Sequence, residues 1–475
     1  MLSIFMLAVA VSCGIALINW RIGIAAAVLM SLLQDPVRKA IPGTPAYLLL
    51  AAIPIWLCVL VSAARYKHLN AGQFLKTFPR LGWWTRIFAL FLVIPAAISL
   101  TYSYNSWIIT LLGAFMYATM FLLVLVGWRF PEGDLKPAHF LAFYGIVASF
   151  MLLGGPMEVA GIAPDSPLLG TEALGHVWVT HRVGAPVYMR AGFFRSPDVM
   201  GWHASLTCMI AIVLAFRAKG WARWLWIAVA VLAVMNIWLC GRRKMFSMIL
   251  VFLGCYALFL VRFSQFKKML AAASITLIVA GVGWYLISAH FYDAAVERFY
   301  LTAFTEAETS IQRHAFASVF STVRQAGFWG YGLGMSQQGV HNIPNVEMPR
   351  VWQESGPSKL FAELGVPGVI LFLIWGGVFF LTAFHTVRRS RGREALFLNA
   401  GILSILMANV ASAMVSAQIF GDPLVVFLLV LLIGLLLSDV RNGAGVKSGP
   451  QPIAALVEPA PAMLQGEHHA NGRQP

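Results

Sequence analysis

The sequence predicts an all-α, polytopic integral membrane protein, and three observations predict it. Of 475 residues, 59% are hydrophobic and only 11% charged, whereas soluble domains carry about a quarter charged residues. Mean hydropathy is +0.77, and apolar runs of near-bilayer length, about 20 residues, recur from end to end. The alternating apolar and polar strands of an outer-membrane barrel do not occur. In hydrocarbon each run must close its own backbone hydrogen bonds, so helices are the spanning form.

The first run, 3–19, lacks the basic n-region and small-residue cleavage site of a signal peptide and reads as a retained span. Trp20 and Arg21 divide it from a shorter run over 22–34. Two spans, a re-entrant hairpin and one kinked span all fit there. Runs at 44–64, 86–104, 107–128 and 138–155 follow, flanked by Arg65, Lys67, Arg80 and Arg129. Those at 199–216, 224–240, 245–261 and 269–289 are punctuated by basic residues at 217–223, 241–244 and 262–268. The last three, 363–385, 395–417 and 424–438, enclose RRSRGR at 388–393. About 12–13 transmembrane helices result. They make one domain over 1–441, and 442–475, rich in Pro, Gly and Ala, reads as a disordered cytoplasmic tail.

The formal net charge of +15 mostly follows the cytoplasmic bias of Lys and Arg near spans. Counting back from RRSRGR as a cytoplasmic signal leaves 156–198, 241–244 and 290–356 as outer, periplasmic segments. The GRRK turn at 241–244 then sits outside, between basic clusters that are inside. Cations held against the bias point to an anionic ligand. Nucleic acid is not the expected partner, because the basic residues scatter over short loops instead of forming one solvated face. The five cysteines, Cys13, Cys58, Cys208, Cys240 and Cys255, fall within or at the ends of spans and form no CxxC. Neither a disulfide framework nor a zinc site is indicated. No internal repeat is evident, which disfavours a transporter built from duplicated halves.

The large loop at 290–356 carries an amphipathic helix. Thr305 and Glu308 form a capping box opening it, and Gly327 is placed to end it. Ile311, Ala315, Phe316, Val319, Phe320 and Val323 share one face at 100° per residue. Arg313 and Arg324 lie along its edge, about 20° apart and roughly 16 Å along the axis. Two readings stand: the helix lies on the bilayer with its arginines on lipid phosphates, or it roofs a cavity and directs them at a ligand. GYGLG, with Gly330, Gly332 and Gly334, lacks the strand and P-loop lysine of a nucleotide site. It reads as a tight turn approaching a ligand or a neighbouring helix. Beyond it lie His341, Asn345, Glu347, Arg350 and Glu354. Glu354 is a candidate general base for an attacking hydroxyl, or a solvated loop acid. Glu363, near the entrance of the next span, needs a partner there, and Lys359 is four residues away.

In 156–198, His176, His181, Arg182, Arg190 and Arg195 face Asp165, Glu172 and Asp198. The histidines lack metal-ligand spacing. Arg195 and Ser196, leading straight into a span, suit phosphate oxygens. Trp202, Tyr331 and Trp352 suit stacking on sugar rings or anchoring at the interface.

Four of these features, in order, resemble the O-antigen ligase / O-antigen polymerase superfamily of bacterial membrane proteins. They are GFFRSP before a span, the outer GRRK turn, Arg313 with FASVFSTVRQAGFWGYGLG, and LFAELGVPG opening the following helix. Together they cover about 190–370, with a compatible three-span ending. The resemblance implies an inner-membrane glycosyltransferase acting at the periplasmic face on a polyprenyl-pyrophosphate-linked oligosaccharide, with neither metal nor nucleotide cofactor. Arg242 or Arg243 and Arg313 would bind the donor's pyrophosphate, with Arg195, Arg324 and His341 as further substrate contacts. Glu354 and Arg313 are the catalytic candidates. Other polysaccharide-assembly membrane proteins are implied partners. Ligases usually carry a histidine, often as His-Asn, nine residues before the acid of the LxxxGxxG-like start; Glu354 and Ser355 stand there instead. That departure turns the expectation toward a polymerase of surface or exopolysaccharide. A ligase acting on lipid A core and a transporter of anionic lipid-linked glycans are the alternatives.

Overall fold

The computed structural model describes residues 1–443 other than 103–104, 132–134, 164, 182, 263–265, 307–308, 310–311, 338–354, 391 and 418–420. The described residues are overwhelmingly helical. Ten of their helices are long and apolar enough to cross a membrane. The protein is an all-α multi-pass membrane protein.

The N-terminal run is two helices, not one kinked span. α1 (Leu2–Ile18) and α2 (Trp20–Lys39) pack as a hairpin hinged at Asn19, whose side chain accepts from Arg21 N and Ile22 N. The 22–34 run extends to Lys39 because helix continues through Asp35, Pro36 and Lys39. Those residues depress hydropathy without breaking the backbone. A short 3-10 turn leads into α3 (Ile53–Arg65), then α4 (Ala71–Thr77). The span expected at 86–104 instead starts at Pro79 and ends at Ser99, as α5 (Pro79–Phe91) and α6 (Val93–Ser99). Proline at the first turn sets that start. α7 (Ser106–Arg129), α8 (Pro137–Leu152) and α9 (Gly154–Val159) follow. The segment to 196 carries a two-stranded antiparallel ladder, β1 (Val179–Thr180) and β2 (Val187–Tyr188).

α10 (Pro197–Arg217) is the central post, buried along almost its whole length and packed on α8, α11 (Trp221–Leu239), α12 (Arg243–Arg262) and α13 (Phe266–His290). After α14 (Ala294–Thr305) a π-helical turn, Gln312–Ala317, runs into α15 (Ser318–Ala326). Thr305 is the last residue of α14, and Glu308, its expected partner in a capping box, lies outside the described residues. Asp293 caps α14 through Ala295 N and Val296 N, and that cap fixes the start twelve residues before Thr305. Gly327 ends α15 as expected, at φ 73°. α16 (Gly356–Arg389), α17 (Arg393–Val415) and α18 (Pro423–Gly443) complete the bundle.

α16 is broken at Gly365 (φ 65°, ψ −174°). The break is filled by the GYGLG turn. Tyr331 N donates to Ala362 O at 2.7 Å, Val366 N to Phe328 O at 2.8 Å, and Leu333 N to Pro95 O at 3.1 Å. A Cβ at Gly330 would lie 2.7 Å from Gly365 N, and one at Gly334 would overlap Ile109 O. The turn's close approach is to neighbouring helices.

Contacts sort the loops between two ends of the bundle. At one end Asp35 meets Arg195, Lys39 Nζ donates to Gly192 O, and Lys244 Nζ to Ser416 Oγ. At the other Arg21 donates to Phe130 O, Ser62 to Leu17 O, and Arg217 pairs with Glu394. The GRRK turn thus shares an end with 156–196 and the α17–α18 loop, opposite the basic clusters at 217–223 and 388–393.

Candidate functional site

The site forms where α10 begins. Ser196 caps that helix, accepting from Val199 N, and Asp198 lies in its first turn, where the helix dipole favours an anion. Two side chains of the GRRK turn converge on Asp198. Arg242 Nη2 is 2.6 Å from Oδ2 and Lys244 Nζ is 2.8 Å from Oδ1. Gly241, at φ 61°, provides the reversal that aims them there. The Arg242 guanidinium also lies 5.2 Å over the Trp178 ring, and its Nε is buried with no hydrogen bond among the described residues.

Arg195, immediately before α10, makes a second cluster. Its Nη1 reaches Asp35 Oδ1 at 3.1 Å, and its Nη2 pairs with Asp422 Oδ2. Asp422 also caps α18, accepting from Leu424 N at 3.0 Å and Val425 N at 3.4 Å. One guanidinium therefore ties α2, α10 and α18 together. Burial alone would lower the Arg195 pKa, but Asp35 and Asp422 more than offset it and raise the value. Burial likewise pushes the Asp422 carboxyl up, yet Arg195 beside it holds it below its ordinary value. Both charges are fixed at neutral pH.

A cavity of about 70 Å³ joins the clusters, lined by Arg195, Ser196, Asp198, Trp202, Ser412, Ser416 and Asp422 among others. Around it Arg195, Arg242 and Lys244 pair with Asp35, Asp198 and Asp422, and Arg38 and Lys39 also act on Asp35. The polar groups share the lining with Val199, Met245 and Val425. Asp198, itself buried, is the point of exchange: a diphosphate offers the same oxygen chemistry to Arg242 and Lys244, with more charge.

Of the residues expected from sequence, Arg195 lines the cavity and Arg242 pairs with a lining carboxylate. Arg243 turns away, its Nη1 2.6 Å from Thr302 Oγ1 and 2.9 Å from Glu306 Oε2, with Phe299 beneath it. Arg313 and Arg324 are exposed and do not line the cavity. Glu354, His341 and Trp352 lie outside the described residues, as does Arg182. Trp202 is buried with its indole N–H donated to Asn409 Oδ1 at 2.9 Å, so it is a wall and not a stacking platform. His176 and His181 are exposed. Glu363 accepts from Tyr117 Oη at 3.0 Å and Ser336 Oγ at 2.9 Å, which supplies the partners its position demands.

Asp35, Asp422 and Lys39 are the residues that sequence reading passed over. Lys39 is buried and holds the loop by donating to Gly192 O at 2.8 Å. Glu158 grips the same strip, accepting from Ala191 N and Gly192 N. The signal was present, since a charge inside or at the mouth of an apolar helix needs a partner. No protein-family model matches the chain, and no curated protein does.

Proposed function

We propose that the chain is a membrane glycosyltransferase that polymerises polyprenyl-pyrophosphate-linked oligosaccharide units at the periplasmic face of a bacterial inner membrane. The observation that carries this reading is the convergence of Arg242 and Lys244 on Asp198, beside Arg195, at the wall of one polar cavity. In the reaction an acceptor hydroxyl attacks the donor's anomeric carbon. The bond from that carbon to the phosphate oxygen breaks, and its electron pair leaves with the diphosphate. Negative charge grows on that leaving group, and fixed cations in a partly dry site stabilise it. Asp198 keeps Arg242 and Lys244 in place before the donor arrives and yields them to the diphosphate when it does. The prenyl chain would run between helices, and the hydroxyl proton would pass to Glu354, the base the sequence suggests.

Arg242→Ala and Lys244→Ala, assayed with a defined polyprenyl-pyrophosphate oligosaccharide and product sizing on a gel, test this. Each should lower transfer by about 10²–10³ in protein that still inserts and folds. Unchanged transfer in both overturns the assignment. Long products support polymerisation, while a single addition to a lipid A core acceptor supports the ligase alternative. A carrier would also use a broken helix such as α16. Here, however, Phe328 O and Tyr331 N occupy the groups that the break frees, which favours a transferase.

A further inference from the structure

α15 is mounted with its polar side inward. Ser318 and Thr322 are its buried residues, Thr322 fully so, and Ser318 Oγ meets Ser358 Oγ of α16 at 2.7 Å. The opposite face is aromatic and bare, with Phe316 68% and Phe320 74% exposed. At 100° per residue Phe320 and Arg324 fall about 40° apart and Thr322 lies across the helix from them. Arg313 and Arg324 are exposed beside these rings and make no ion pair among the described residues. A helix that buries two hydroxyls and presents two phenyl rings is placed for an apolar neighbour.

The neighbouring surface identifies it. Phe328 and Trp329, also exposed, continue the patch from the end of α15 to the break at Gly365. Below that break Ile370 and Leu373 of α16 are exposed, about 7 and 12 Å further along the helix. Those residues lie on an apolar helix long enough to cross a bilayer. Exposed apolar side chains therefore occur on α15, at its junction with the break and on the span below it. Aromatic rings at the top of a span, flanked by arginines, match the polar–apolar boundary of a leaflet.

We propose that α15 and its preceding turn lie on the leaflet at the GRRK end, with Phe316 and Phe320 in the acyl boundary and Arg313 and Arg324 on anionic headgroup phosphates. The occupant is bulk phospholipid, not the donor. This goes beyond the transferase reading and stands or falls separately from it.

A photoreactive benzoylphenylalanine placed at 316, 320 or 325 in the full chain tests the contact. The protein is held in nanodiscs of phosphatidylethanolamine and phosphatidylglycerol that contain no polyprenyl lipid. Phospholipid adducts are expected at 316 and 320 and not at 325, where Gln325 is exposed away from the patch. Crosslinks to protein, no adduct, or adducts appearing only after polyprenyl diphosphate is added would each overturn the proposal. Arg313→Glu with Arg324→Glu should lower the adduct yield at 320. An unchanged yield would remove the headgroup contact.

Discussion

Replacing Arg195 tests the site's architecture most directly. Its side chain is 19% exposed, and its partners Asp35 and Asp422 are 4% and 9% exposed. Arg195→Ala leaves two buried carboxylates without their cation. Breaking one buried pair in this way costs about 3–5 kcal/mol, against the 0.2–1 kcal/mol typical of an exposed pair. Chemical or thermal unfolding in nanodiscs should show that loss, with α2, α10 and α18 loosening together. The triple variant Arg195→Met, Asp35→Asn, Asp422→Asn removes the three charges of the tie and should recover most of the stability, since no buried carboxylate is then left without Arg195. It should not recover transfer. The pH dependence has a defined sign. Asp422 has a depressed folded pKa, so its contribution is complete above its unfolded value, about 3.9, and is lost as pH falls through the lower folded value. The difference between wild type and the triple variant should thus be flat from about pH 5 to 6; at higher pH Lys39, which burial lowers to about 8 while Asp35 raises it, titrates differently in the two proteins. A loss below about 1 kcal/mol in Arg195→Ala, or a slope between about pH 5 and 6, would refute the buried three-way tie.

The remaining predictions concern topology, backbone and chemistry. In a cysteine-free background, single cysteines at Gly175 and at Ser247, exposed just after the GRRK turn, should react with an impermeant maleimide from one side of the membrane, and one at Lys219 only from the other; labelling of 247 and 219 from the same side would invert the reading. Gly365→Ala forces φ 65° on a side chain and drives its Cβ into Phe328 O and the Trp329 carbonyl; it should destabilise by more than about 1 kcal/mol, seen as faster exchange of the Tyr331 and Val366 amides, and unchanged exchange would show the break to be relaxed. Glu354→Gln should lower turnover while leaving donor affinity within about twofold; equal turnover would dismiss it as the base.

How much was legible in the sequence varies with the kind of signal. Spans could be placed because a bilayer imposes length and apolarity on each helix separately, and the sidedness of GRRK followed from basic residues alone. The N-terminal hairpin was ambiguous because Asp35 and Lys39 lower the local hydropathy. Their partners, Arg195 and Gly192 O, lie far along the chain. The same distance hid Asp422. Arg195 and Arg242 could be chosen as cations out of place, yet their carboxylates could not, since pairing is a tertiary fact. The earlier helix over Ala294–Thr305 was missed because its cap, Asp293, stands just past the apolar run that marks the preceding span.

Both feet of the 338–354 segment are bolted to one place. Ser336 Oγ donates to Lys359 O at 3.2 Å, and Ser355 accepts from Ser358 N at 3.2 Å as the cap of α16. Ser336 and Ser355 are thus held at the same turn of α16. Doubling a loop costs only about 0.6 kcal/mol in closure entropy. Changing the length of chain between these two serines should therefore cost the bundle little stability, whereas any exchange that removes Glu354 would also remove the proposed base.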